Sequence, residues 1–419
     1  MGENQEISMF RRFIPSQHTE RSKQLASCDA YEWAKIRRSE PFMVGWMQTW
    51  RELLDQPYRG ITEDGKVRPG LYLLASEGTD HGAPTAAMVK AAEALFEILQ
   101  PAQREALSYP INATEWRMWM NPEIYIFHHG IRLDEVDEPV VEAVYNLMEA
   151  SLSPSGYKKA RGCMKVNGFL GKVVNGAKVL NERAYNVLVF GKPSQTEPWG
   201  WQLYGHHLCI NCFVLGGQIV ISPVFMGAEP NIIDEGPDKG TLLLDDQEKS
   251  ALSIMQSLEA SVQNRARISS SLAVPDLPAS RYHRADQRHL GGAFQDNRTI
   301  AYEGVLVTDF TADQQERLLR LIRISLDYLP TVSLDVYMRQ IKYHWEETYF
   351  CWIGASEPGA AFYYKIHSPV VMIEFDHHTG VFLNNKEPLP FHIHTLVRMP
   401  NGNDYGAEIL RQYQQRQAK

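Results

Sequence analysis

Apolar positions along the chain fall into two periodicities, and their order predicts helical layers followed by strand-rich blocks. Residues 1–25 are polar and expected to be loose. Trp33, Ile36, Met43 and Met47 predict a helix over 28–56 that breaks near Pro57. GLYLLA at 70–75 predicts a short strand, and the Gly- and Asp-rich stretch 76–84 a loop. An amphipathic helix follows over 86–99; Pro101 should end or kink it, with a helical pattern resuming to Leu107. The strongest strand signal is Trp199 to Gly227, where two runs rich in Val, Ile, Phe and Cys flank Gly216-Gly217, a hairpin signal. Alternation along a single strand puts Tyr204, His206, Leu208, Ile210, Cys212 and Val214 on one face, and Trp201, His207, Cys209 and Asn211 on the other. On that reading His207 faces a site and His206 supports it from behind. Residues 274–297, with Pro, Gly and mixed charge, read as a long surface loop or lid, with His283 and His289 solvated. Residues 404–415 read as a closing helix with Asp404 as N-cap.

The pattern repeats. Residues 130–152 align without gaps on 304–326, sharing the leading Gly, a Glu (142 and 316), a Leu (147 and 321) and the closing Ser-Leu. Each copy is followed by a strand-rich block: YNVLVFG (185–191) and the hairpin in the first, YFCWIG (349–354) and FYYKIHSPVVMIEFD (362–376) in the second. The expected fold is α+β, with two internally related halves, each a helical layer plus antiparallel strands, around a central cleft. The expected organisation is a flexible N-terminus (1–25), a first half (26–240) and a second half (241–419), intertwined in one compact unit. A homodimer is compatible with this plan.

Composition narrows the function classes. A chain of 419 residues with 44% hydrophobic residues can bury a sizeable core. A net charge of −8 argues against a sequence-independent nucleic-acid binder. No apolar run is long enough to span a membrane, and the N-terminus lacks the apolar region of a secretion signal, so a cytoplasmic location is expected. Five scattered cysteines do not form a disulfide framework, and Cys209 with Cys212 reads as buried packing.

The candidate chemistry lies in histidine. Of 14 histidines, eight stand in tight pairs: 128/129, 206/207, 377/378 and 392/394. His392 and His394 are spaced to share one face of a strand. Two such imidazoles, His207 and a carboxylate from Asp376 or Glu374 make a constellation that suits one divalent metal, zinc or iron, or general acid–base catalysis without a cofactor. A buried polar network joining strands is the third reading. Trp199, Trp201, Tyr204, Tyr363 and Phe391, with Asn211 and Arg117, are candidates to line an aromatic pocket for a hydrophobic or polycyclic small molecule. Arg398 or Arg117 is a candidate to offset charge on an enolate or phenolate oxygen. The chain lacks the nucleophile elbow, P-loop, dinucleotide fingerprint and H-E-x-x-H motifs.

At PWGWQLYGHHLCIN, FMGAEP, FYYKIHSPVVMIEFD and HIHTLVRMPNGNDYGAEILRQY the sequence resembles domain-of-unknown-function family 3500, from about Arg51 to Gln414. The resemblance is to a fungal intracellular member and implies a place among secondary-metabolite enzymes, similar to the hetero-Diels–Alderases of tropolone–sesquiterpenoid pathways. Three functional expectations follow. The first is a lyase or cyclase, in which His206, His207, His392, His394, Asp376 and Arg398 support dehydration of a hydroxylated precursor and an aromatic pocket holds the reactive product for cyclisation. The second is a metal-dependent hydrolase or oxygenase with His207, His392, His394 and Asp376 as ligands. The third is a non-catalytic small-molecule binding protein.

Overall fold

The computed structural model describes residues 8–76, 78–273 and 276–418. Its frame is one twelve-stranded sheet. The first half contributes β1 (Ser108–Tyr109), β2 (Ile131–Arg132), β3 (Tyr185–Gly191), β4 (Trp199–Gly205), β5 (Leu208–Leu215) and β6 (Gln218–Ala228). The second contributes β7 (Arg267–Ser269), β8 (Val305–Leu306), β9 (Tyr349–Gly354), β10 (Phe362–His367), β11 (Met372–His377) and β12 (Ile393–Arg398).

The strand order is nearly symmetric about the β6–β12 pair. The path runs β1-β3-β4-β5-β6-β12-β11-β10-β9-β7, with β2 on β3 and β8 on β9. β1 and β7 each run parallel to their neighbour, and β2 and β8 antiparallel to it. The halves meet where β6 pairs antiparallel with β12, with Gly227 opposite His394. The aligned repeats fall on β2 with the helix Glu138–Ser151 and on β8 with the helix Ala312–Ser325. The fold is α+β, as the periodicities predict.

Register divides the sheet into two chemical faces. Tyr363, Asp376, His394 and Gly227 lie in line across β10, β11, β12 and β6, and Lys365, Glu374, Leu396 and Phe225 two residues on. The opposite face carries Tyr364, Phe375, Thr395 and Met226 in the same strands and packs under helices. There Gln247, from the helix Asp245–Ser257, donates to Tyr364 and Thr395, and Trp201 donates to Ser151 at the end of Glu138–Ser151.

Several local expectations are corrected. The helix over 28–56 is two helices, Ala30–Arg38 and Pro41–Leu54, because Pro41 starts a new helix more readily than it continues one. Residues 70–75 join no strand ladder. Part of the polar N-terminus is anchored: Phe10 and Leu25 are buried, and Arg11 pairs with Asp234; residues 1–7 lie outside the described residues. Asp404 does not cap the last helix, which runs Ala407–Gln417 after Gly406; its carboxylate faces Arg398 and Ser222.

The largest correction concerns 274–297, of which Val274 and Pro275 lie outside the described residues. Asp286 to Phe294 is buried against the polar face of the sheet. Leu290 and Gly291 donate backbone N–H groups to Glu374, and Arg288 binds Asp376. A segment that reads as solvated because it is polar is instead the partner of buried carboxylates, which its N–H and guanidinium groups satisfy.

Candidate metal centre

His206 and His207 are the two central residues of the β4–β5 turn, since Gly205 pairs with Leu208. The long strand therefore folds back at the histidines, and the predicted face assignment fails beyond Tyr204. Trp201 pairs with Cys212, and Gln202 with Asn211. His207 adopts φ 61°, in the left-handed region. Its N–H donates to the Asn121 carbonyl and its own carbonyl accepts from Gly227. The turn stacks the two imidazoles 3.9 Å apart. His206 Nδ1 lies 2.7 Å from Asn167 Oδ1, while the Asn167 amide N–H₂ donates to the Asn181 carbonyl. That leaves the Asn167 oxygen as acceptor, so His206 carries its proton on Nδ1.

The turn meets the start of β12. His207 lies 5.3 Å from His392 and 4.9 Å from His394, ring to ring, and one nitrogen from each of the three falls within 4.8 Å of the others. His392 Nδ1 donates to the Thr379 carbonyl at 2.7 Å, which leaves Nε2 as a lone pair. That lone pair faces His394 Nε2 at 3.2 Å. Gly227 makes the approach possible: a Cβ there would sit 2.9 Å from His394 Cδ2 and 3.2 Å from His207 Cδ2. Behind His392 lies Glu229, wholly buried, its carboxylate accepting N–H groups from Val381, Phe382 and Leu383 and standing 3.9 Å from His392 Nδ1.

All of these rings are buried. Burial first, and mutual repulsion second, holds His207, His378 and His394 well below the ordinary imidazole value. Burial also lowers His392, against the opposing pull of Glu229, and takes His206 to about 3. The neutral imidazole that results is the form that offers a lone pair to a metal.

Asp376 does not join this trio. It stands with His289 and His378, each offering one ligand atom within 4.8 Å of the others. His378 Nε2 is 3.1 Å from Asp376 Oδ2, and its ring lies 3.8 Å from that of His394. The predicted four-ligand set is thus divided between two touching groups. The cluster also includes His378, His289, Glu229 and the Thr379 carbonyl, to which the sequence reading gave no role. The 377/378 pair was the available signal for His378; His289 had none beyond a histidine inside a polar segment, where it was expected to be solvated and is instead 3% exposed.

The aromatic and arginine candidates are placed elsewhere or already engaged. Trp199, seven residues before the turn and so roughly 20 Å along an extended strand, donates to the Ser194 carbonyl. Trp201 is on the helix-covered face. Tyr204 is buried with its hydroxyl toward the Phe127 carbonyl. Asn211 is spent between Gln202 and the Pro223 carbonyl. Phe391 packs against Phe13, and Tyr363 donates to Glu374 with its ring 6.3 Å from His289. Arg398 is wholly buried between Asp296, Asp404 and the carbonyls of Gly291 and Gly292. Arg117 ties Asp296 to the carbonyls of Leu53 and Gln56. Both guanidiniums join segments of the fold and are not directed at the imidazoles.

A surface cleft of about 500 Å³ shares the 379–383 loop with the cluster, and none of the cluster's histidines lines it. Its wall includes Thr379 to Leu383, the loop that supplies the acceptor for His392 and the N–H groups for Glu229, and Phe382 lies 5.7 Å from His206.

Residues 81–407 match a family described as "Protein of unknown function (DUF3500)", a span that includes every histidine of the cluster. No curated protein and no solved structure matches the chain. No helix among the described residues is long and apolar enough to cross a membrane.

Proposed function

The chain belongs to the DUF3500 family, and from the histidine core inside the matched region we propose that it is a metal-dependent enzyme, a hydrolase or oxygenase acting on a small molecule. His207, His392 and His394 hold a divalent first-row metal, zinc or iron, whose preference for imidazole nitrogen fits this donor set. The observation that carries the reading is the convergence of three ring nitrogens from two separate elements, with the His392 proton committed to Thr379 so that its other nitrogen faces the shared centre. An imidazole whose second nitrogen donates to a carbonyl is the usual support of a ligating histidine. Bound there, the ion supplies Lewis acidity.

The dehydration–cyclisation reading draws less support. It calls for an imidazole that arrives carrying a spare proton, which burial opposes at each ring, and for a wall of aromatic side chains that Trp199 and Trp201 do not provide.

Elemental analysis of the purified chain tests the proposal. We expect zinc or iron at one equivalent or more, removed by a chelator and restored by adding the metal, with His207→Ala and His394→Ala each binding one equivalent less than the unaltered chain. A folded chain that takes up neither metal would overturn it. Retention of the ion without any chelator-sensitive turnover, across ester, amide and oxidisable substrates, would leave the chain a binding protein.

A further inference from the structure

Neither ring nitrogen of His289 meets a hydrogen-bond partner, although the residue is 3% exposed. His378 Nε2 also makes no hydrogen bond, although Asp376 Oδ2 lies 3.1 Å away. Leaving a buried polar atom unsatisfied costs on the order of 1–3 kcal/mol, so folds seldom gather three at one place without something to meet them. These atoms are gathered: His289, Asp376 and His378 each bring one ligand atom within 4.8 Å of the others.

The surroundings orient this group toward an occupant. Arg288 holds both oxygens of Asp376, Oδ1 through Nε at 2.7 Å and Oδ2 through its backbone N–H at 3.3 Å, and the second lone pair of Oδ2 is available on the side of His378 Nε2, 3.1 Å away. Glu374 stands 4.0 Å from His289 Nδ1, with its carboxylate fixed by the N–H groups of Leu290 and Gly291 and by the Tyr363 hydroxyl. At 4.0 Å this carboxylate borders the imidazole without hydrogen-bonding it, so both His289 nitrogens stay without a protein partner. Two imidazoles and one carboxylate suit iron or zinc. This group also touches the trio already described, since the rings of His378 and His394 are 3.8 Å apart.

We propose that His289, Asp376 and His378 bind a second divalent metal ion beside the first, so that the protein carries a binuclear centre. The inference rests on the metal reading above for its first ion; the second ion rests on its own ligands. It also assigns the 286–296 segment a role: His289 reaches the centre only because that segment is laid into the polar face of the sheet.

The test is metal stoichiometry in the full chain, stripped by a chelator and titrated with zinc, or with cobalt to read its visible absorption. Two ions per unaltered chain are expected. His289→Gln and His378→Gln should each keep one ion, and so should His207→Gln, with circular dichroism confirming the fold. The count in the unaltered chain decides the matter even if a variant does not fold. One ion, lost in His207→Gln and kept in His289→Gln, overturns the second site and leaves the first. One ion lost only in His289→Gln overturns the first site and the binuclear centre. No ion at all overturns both.

Discussion

His207 answers to two demands at once. The turn places this residue at φ 61°, and the proposed metal site calls for an imidazole here. An L-residue in the left-handed region costs about 1–2 kcal/mol, whereas glycine adopts it freely. The two demands are separable. His207→Gly and His207→Ala both delete the ring, but only alanine keeps the backbone cost. We expect His207→Gly to be the more stable in urea unfolding by roughly 0.5–1 kcal/mol, with both variants equally poor in metal. Equal stability of the two would show that the turn does not hold residue 207 in that conformation. The GHH and HIH motifs stood out in the sequence, because paired histidines in strand patterns are unusual companions for an apolar core, and the fold does bring their rings together. The turn was not. Gly216-Gly217 announces the next hairpin by composition, whereas His206-His207 carries no glycine, proline, asparagine or aspartate, and a period-two pattern runs through it unbroken.

Two elements change meaning once they are folded, and both do so through distant partners. The N-terminal turn Met9–Phe13 places Phe10 edge-on to Phe169 at 6.0 Å, and Arg11 binds Asp234 through Nε and Nη2 at 2.9 and 2.6 Å. The Arg11 hydrogen bond outweighs partial burial and holds the Asp234 carboxyl below its ordinary value of 3.8. A carboxyl depressed in the folded state contributes stability above its unfolded value and loses it as pH falls through the folded one. The stability difference between the unaltered chain and Arg11→Ala should therefore be full near neutral pH and shrink below about pH 3.8. Urea midpoints on either side of that value check it; a gap that stays constant into acid would mean that Asp234 is not the partner that matters. The 286–296 segment shows why such elements escape sequence reading. Its polar groups look solvated until Glu374, Asp376 and Arg398 are known to lie beneath it, and nothing local announces them.

At the scale of the molecule, the two related segments were legible because they share helix periodicity and a few residues, and the strand order of the sheet is symmetric in the same way. The location of the site follows from that plan. The sheet passes from one half to the other at β6–β12, and the histidine cluster sits at that seam: His207 comes from a turn of the first half, and His392, His394, His378, Asp376 and His289 from the second. An ion held by His207, His392 and His394, as proposed, would therefore cross-link the two halves. Binding to the folded state alone stabilises by RT ln(1 + [L]/Kd), about 2.7 kcal/mol at a hundred times Kd. Because the ligands come from both halves, that increment belongs to their joint unfolding. We expect thermal unfolding of the full chain to be a single transition that moves upward as a whole when zinc is added to stripped protein. If two transitions appear and zinc raises only one, the ion's ligands lie within one half, and the seam is joined by strand pairing alone.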